Sequence, residues 1–167
     1  TKPPVTTEKI IRQKRDRVNK EGLVDIRLYG LVLQENLDSL ESLAPYVIAY
    51  KIFLAKSTGG VILPMEYLRR ALSIISRVDR PVTLHCENQR MIDENTEIYK
   101  NSTEPDAHCD IRSPEAEISS IHDALEHIQA SDRVNIAHLS TAGGMKTVKD
   151  YKDKGYRLAC EVTPHHL

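Results

Sequence analysis

"VIAYKIFLAKSTGGVILPMEYLRRALSIISRVDRPVTLHCE", residues 47–87, is the stretch on which the fold turns. Its first part, 47–54, is an apolar run with β-branched and aromatic residues, and it ends in a loop containing Gly59 and Gly60. Pro64 suits a first helical turn, and "MEYLRRALSIISRV" then repeats apolar residues at helical spacing. After Pro81, "VTLHCE" returns to a strand pattern. Strand, helix and strand in this order make a βαβ unit, and such a crossover sets its two strands parallel. One residue does not belong in an apolar strand: Lys51, whose ammonium would cost several kcal/mol to bury unpaired. Either it snorkels or pairs with an acid, or it serves chemistry.

The same alternation extends in both directions. Upstream, a helix over 7–19 with Thr6 or Thr7 as N-cap leads to "GLVDIRLYGLVL", a strand beginning at Gly22, and to a short helix over 37–43. Downstream, the polar passage 88–114 delays the next main helix, "EAEISSIHDALEHIQA", its part around Asn95 to Pro105 being read as an insertion between a strand and its helix. Then follow the strand "RVNIAHLS", the helix "AGGMKTVKDYKDK" and the strand "YRLACEVTP". Five strands alternating with helices predict an α/β fold with a parallel sheet. An open doubly wound sheet and part of a closed (β/α)8 barrel both fit the pattern, a full barrel needing about 250 residues. Without a linker or repeat, residues 1–167 form a single segment.

Composition narrows the function classes. The 167 residues are 40% hydrophobic and 28% charged with net charge −1, which suits one globular core and lacks the basic excess of a nucleic-acid binder. No apolar run approaches a membrane span and the N-terminus has no signal-peptide pattern, so a cytoplasmic location is expected. The three cysteines, Cys86, Cys109 and Cys160, form no C-x-x-C pair and indicate neither a disulfide framework nor a cysteine zinc site. Cys86 is expected to point away from its neighbour His85, because successive strand residues face opposite sides. Ser57 and Ser140 lie in no nucleophile elbow, and the glycine pairs match no phosphate-binding motif and read as flexible loops.

Three polar residues fall near the C-terminal ends of successive strands: Lys51, His85 in "VTLHCEN" and His138 in "NIAHLST". In a parallel sheet those ends share the rim where α/β proteins gather ligand and catalytic groups. Two neutral imidazoles suit a metal ion, and a lysine amine that takes up carbon dioxide becomes a carbamate able to bridge two metals. His108 in the polar passage, and His122 and His127 off the helix stripe, are weaker candidates. His165 and His166 follow the last strand at the same rim, and spacing alone does not decide whether they enter the site. Glu161 is the candidate for orienting ligands or loops from behind.

The stretches "PPVTT", "YKIFLAKSTGG", "VTLHCENQRMI", "RSPEAE", "NIAHLST" and "CEVTPHHL" together resemble the dihydroorotases of the cyclic amidohydrolase family, over the whole chain. The resemblance implies a metal-dependent (β/α)8 barrel that reversibly hydrolyses the cyclic amide of (S)-dihydroorotate to N-carbamoyl-L-aspartate in pyrimidine synthesis. It implies two zinc ions, with Lys51 as bridging carbamate and His85 and His138 as ligands. No H-x-H pair occurs in these residues. That pair, its accompanying arginine, the substrate asparagine and the catalytic aspartate are expected before Thr1 or beyond Leu167. The chain is thus expected to hold strands three to seven of eight, to be truncated at both ends, to contain no catalytic residue that can be assigned with assurance, and to be inactive alone. Allantoinase and hydantoinase or dihydropyrimidinase are the alternative activities, and a non-catalytic dihydroorotase-like scaffold is the alternative of another class. The partners expected are the small-molecule substrate, a second copy in a homodimer, and aspartate carbamoyltransferase, with no nucleic acid and no membrane.

Overall fold

The computed structural model describes residues 2–57 and 59–166. Thr1, Thr58 and Leu167 lie outside the described residues, the last two belonging to the quoted "YKIFLAKSTGG" and "CEVTPHHL". The order is α1 (Glu8–Glu21), β1 (Tyr29–Leu31), α2 (Leu40–Leu43), β2 (Ala49–Phe53), α3 (Leu68–Arg77), β3 (Val82–His85), α4 (Gln89–Tyr99), α5 (Ala107–Ile111), α6 (Pro114–Leu125), β4 (Val134–Ile136), α7 (Ala142–Asp153) and β5 (Leu158–Cys160). Short 3-10 turns precede α2 and α3, and another follows β5 at Pro164–His166.

The five strands form one parallel sheet in the order β1-β2-β3-β4-β5. Each crossover therefore advances by one strand in the same direction, and right-handed crossovers then put the helices on one face. A doubly wound sheet reverses its strand order midway; this sheet does not. It is a segment of a (β/α)8 barrel, and strand order resolves the ambiguity in the pattern.

Register separates the two faces. Tyr50 pairs with Val82 and Ile52 with Leu84, which pairs in turn with Ile136. These side chains are almost fully buried and build the core with Leu68, Ile75, Ile121 and Leu125 from the helices. The alternate residues Leu31, Lys51, Thr83 and Asn135 form one row across the opposite face. There Lys51, Phe53, His85 and Asn135 are only half-buried.

Caps explain several boundaries. Thr7 accepts from the Ile10 N–H at the start of α1, Ser113 from Ala116 at α6, and Thr141 from Gly144 at α7. Two expectations shrink or change. The strand begun at Gly22 is confined to Tyr29–Leu31, where β2 offers a pairing partner, and Leu23 is 99% exposed. The polar passage is not irregular: Asn88 accepts from the Met91 N–H and starts α4, and α5 follows. Gly143 and Gly144 are not a flexible loop either but lie in the first turn of α7. A Cβ on Gly144 would come within 2.7 Å of Leu139 and 2.8 Å of Ile121, so the bare backbone is what lets α7 approach α6.

Candidate functional site

His85 is the last residue of β3, and His138 stands two residues beyond β4. The rim brings them together: His85 Nδ1 lies 2.9 Å from His138 Nε2, with ring centroids 4.8 Å apart. His138 reaches this position with φ 37°, in the left-handed region. That conformation costs a non-glycine residue on the order of 1–3 kcal/mol and is typical of residues held for a purpose. The turn is secured from α6, where the buried Glu117 accepts from the Ser140 N–H at 3.1 Å and from the Ser140 hydroxyl at 3.1 Å.

The other nitrogen of His85 faces Glu87. Nε2 is 2.6 Å from the Glu87 carboxylate, which also accepts from the Arg112 guanidinium. Burial pushes the Glu87 carboxyl up, but the His85 hydrogen bond and the His85 and Arg112 charges outweigh it and leave it below its ordinary value. For His138, burial and then the positive charges of His85 and Lys51 act together to push the imidazole down, so the neutral ring is favoured.

Lys51 sits near the middle of β2 with its Nζ 5.0 Å from the centre of the Phe53 ring. Among the described residues no carboxylate lies within salt-bridge distance of it. Burial pushes its amine below the ordinary lysine value, while Cys86 and Glu161 act weakly the other way. Lys51 and the histidines line adjoining hollows of the rim that share Ser57. His85 and His138 line a cavity of about 910 Å3 with Glu87, Arg112, Glu117 and Thr163. Lys51 and Phe53 line a neighbouring one of about 510 Å3. Phe53 joins the two, its ring centre 5.4 Å from that of His85.

The remaining candidates divide. His166 lines the larger cavity and its Nδ1 lies 3.2 Å from the Leu139 carbonyl. His165 and His122 are exposed, and His127 holds a buried, unpartnered Nδ1 away from this cavity. His108 and Cys109, from α5, border the cavity. Glu161 accepts from Asn135 at 3.3 Å, and the hydrogen bonds of the His85 and His138 rings run to each other and to Glu87. Cys86, just past the end of β3, is 3% exposed, packs in the hydrophobic core and borders the cavity. Burial pushes its thiol up to about 12, so it is protonated at neutral pH.

Sequence patterns do not single out three of the site residues: Glu87, Arg112 and Glu117. Arg112 and Glu117 arrive from 25 and 23 residues away from the groups they hold, and no local pattern announces that.

No protein-family model matches the chain. The chain is 34% identical over 176 aligned residues to the dihydroorotase of Methanosarcina mazei, covering 100% of this chain and 38% of that protein. An allantoinase of Desulfitobacterium hafniense is 28% identical over 89% of this chain and 34% of its own length. Among solved structures, the L-hydantoinase (dihydropyrimidinase) of Arthrobacter aurescens superposes with a TM-score of 0.92 at 21% identity, over 97% of this chain and 37% of that one. The chain thus spans well under half the length of the proteins it matches. By its kinship along its whole length and by its partial barrel, it belongs with the dihydroorotase-like cyclic amidohydrolases.

Proposed function

We propose that this chain carries part of the active site of a dihydroorotase, which interconverts (S)-dihydroorotate and N-carbamoyl-L-aspartate. Lys51 as its carbamate, His85 and His138 would hold the two zinc ions of the full-length enzyme. The observation that carries this reading is the meeting of His85 and His138 at 2.9 Å across adjacent strand ends, in a chain 34% identical to a dihydroorotase.

The donor chemistry fits zinc. His138 is biased to the neutral imidazole that can ligate. Burial shifts Lys51 toward the free amine, the form that combines with carbon dioxide. Among the described residues no group of three His, Cys, Asp or Glu side chains converges on a metal position, so a complete site needs the carbamate and ligands from elsewhere. Bound zinc would supply Lewis acidity toward the ring carbonyl.

Around that centre, the chain's own residues orient and enclose. Glu87 and Arg112 orient His85, Glu117 holds the turn that presents His138, and the 910 Å3 cavity has room for a small heterocycle. Glu161 is assigned a supporting place near Lys51, whose charge it favours. The proton-carrying aspartate is assigned to residues outside this chain, and these 167 residues alone are expected to show no turnover.

Turnover of dihydroorotate, allantoin and dihydrouracil by the full-length protein tests the substrate. Dihydroorotate is expected to be preferred; preference for either of the others would favour the allantoinase or hydantoinase reading, which the allantoinase kinship and hydantoinase-like fold support. No turnover by zinc-loaded protein would favour the scaffold reading. Co-purification with aspartate carbamoyltransferase, and the solution mass, test the proposed partners. Among the described residues no helix is long and apolar enough to cross a membrane. A cytoplasmic location is part of the proposal.

A further inference from the structure

The end of the sheet opposite the histidine rim gathers positive charge. A cavity of about 300 Å3 lies there, where the chain enters β1, β2 and β3. Arg15 reaches it from α1, Arg27 from the segment before β1 and Arg80 from just before β3, while Tyr46 and Ile48, on the approach to β2, complete its wall. None of its lining residues is acidic, and it shares no residue with the His85–His138 cavity. The neighbouring acids are engaged elsewhere: Glu8 pairs with Arg12, Asp25 with Arg27 on an exposed edge, and Asp79 with Arg133, while Asp16 lines a different hollow on α1. Among the described residues neither Arg15 nor Arg80 has a carboxylate within salt-bridge distance.

The walls are held in place. The Ile48 N–H donates to the Leu28 carbonyl at 2.9 Å, which ties the entrances of β1 and β2 together. Tyr46 accepts from the Arg12 guanidinium at 2.8 Å through its hydroxyl. The half-buried Arg80 donates from Nε to the Ala44 carbonyl at 3.1 Å, which fixes the fork and leaves its two terminal nitrogens for another acceptor. Guanidinium groups collected around one cavity repel one another, and a multivalent anion among them turns that repulsion into attraction. We propose that this cavity binds a phosphate-bearing anion. Planar guanidinium forks match phosphate oxygens two at a time, and three of them suit a group that carries more than one negative charge. The bound anion would clamp α1 to the entrances of the three strands whose other ends lie toward the rim. The site stands apart from the hydrolytic reaction and does not depend on it.

Calorimetric titration of the metal-free, full-length protein with pyrophosphate at low ionic strength tests the site; zinc is removed first because pyrophosphate chelates it. A single saturable site is expected, with affinity falling as sodium chloride is raised, since the attraction is between charges that salt screens. Arg80→Gln and Arg15→Gln are each expected to raise Kd by roughly tenfold or more, the effect of losing a charge-assisted hydrogen bond. Arg15 is exposed on α1, so Arg15→Gln carries the test if Arg80→Gln does not fold. Failure of the parent protein to bind pyrophosphate overturns the proposal. So does a Kd unchanged in the folded variants, which would put the anion elsewhere, at the histidine rim for example.

Discussion

The two faces of β2, β3 and β4 are made by alternate residues of the same strands, yet they have opposite characters. On the helix-covered face, Tyr50, Ile52, Leu84 and Ile136 are almost wholly removed from water. On the other, Lys51, His85 and Asn135 are half-buried beside Thr83, with two cavities over them. A parallel sheet ordinarily needs both faces covered. The polar row faces the inside of a partial barrel, where Asn135 bonds to Thr83 and Glu161 and the Lys51 amine lies over the Phe53 ring. Substitutions on one face should therefore move stability, and on the other chemistry, a division that mutagenesis can break.

The largest effect is expected at the rim. His85→Ala or His138→Ala in the full-length protein should lower kcat/KM on the order of a thousandfold or more, since a metal contributes several kcal/mol of transition-state stabilisation. Steady-state kinetics with zinc analysis would check this, alongside an unfolding midpoint that is expected to change little when variant and parent are compared metal-free. Loss of fold with no loss of metal would merge the two faces. Lys51→Ala should likewise remove the bridged metal pair, read as zinc content per chain.

On the covered face, Leu84→Ala should cost about 2–5 kcal/mol of unfolding free energy through the cavity it leaves, while zinc content in the folded fraction stays at the parent level. Denaturant titration measures the first and elemental analysis the second. A milder lever on the same face is pH. Burial pushes the Tyr50 hydroxyl up to about 12, and it donates to the Leu40 carbonyl. An unfolded tyrosine ionises near 10. Stability should be unaffected by this group below pH 10 and fall as pH rises from about 10 toward 12, by on the order of 2 kcal/mol. Tyr50→Phe should lack that alkaline component; retention of it would assign the loss to another group.

The smallest effect separates the acids of the open face. Glu161 is exposed and shares only a 3.3 Å bond from Asn135, so Glu161→Gln should change zinc affinity by less than about tenfold, against the larger loss expected for Glu87. An equal loss would move the orienting role to Glu161.

What is legible in the sequence follows the same division. Alternation and helical spacing find all five strands and the main helices that cover them, because burial of an apolar face leaves a local periodic trace. Lys51, His85 and His138 stand out because polar groups interrupt those apolar runs, although register sets Lys51 in mid-strand beside Thr83 and His85 at the strand end beside Phe53. The strand pattern over 22–28 misleads: apolar residues such as Leu23 and Val24 have no paired neighbour there and stay exposed. The helix over Gln89–Tyr99 is hidden by polarity, since it buries Ile92 and little else, although the Asn88 cap marks its start. Arg112 and Glu117 are illegible because their roles are long-range hydrogen bonds, and strand order alone distinguishes a barrel segment from a doubly wound sheet.

Diffraction at the zinc absorption edge from the full-length protein, loaded with zinc in the presence of bicarbonate, would test the central assignment most directly. Zinc bonded to both His85 and His138, with an adjacent ion bridged to the first by extra density continuous with the Lys51 amine, is the expected result. Zinc bound elsewhere, with those two imidazoles still hydrogen-bonded to each other, would contradict it.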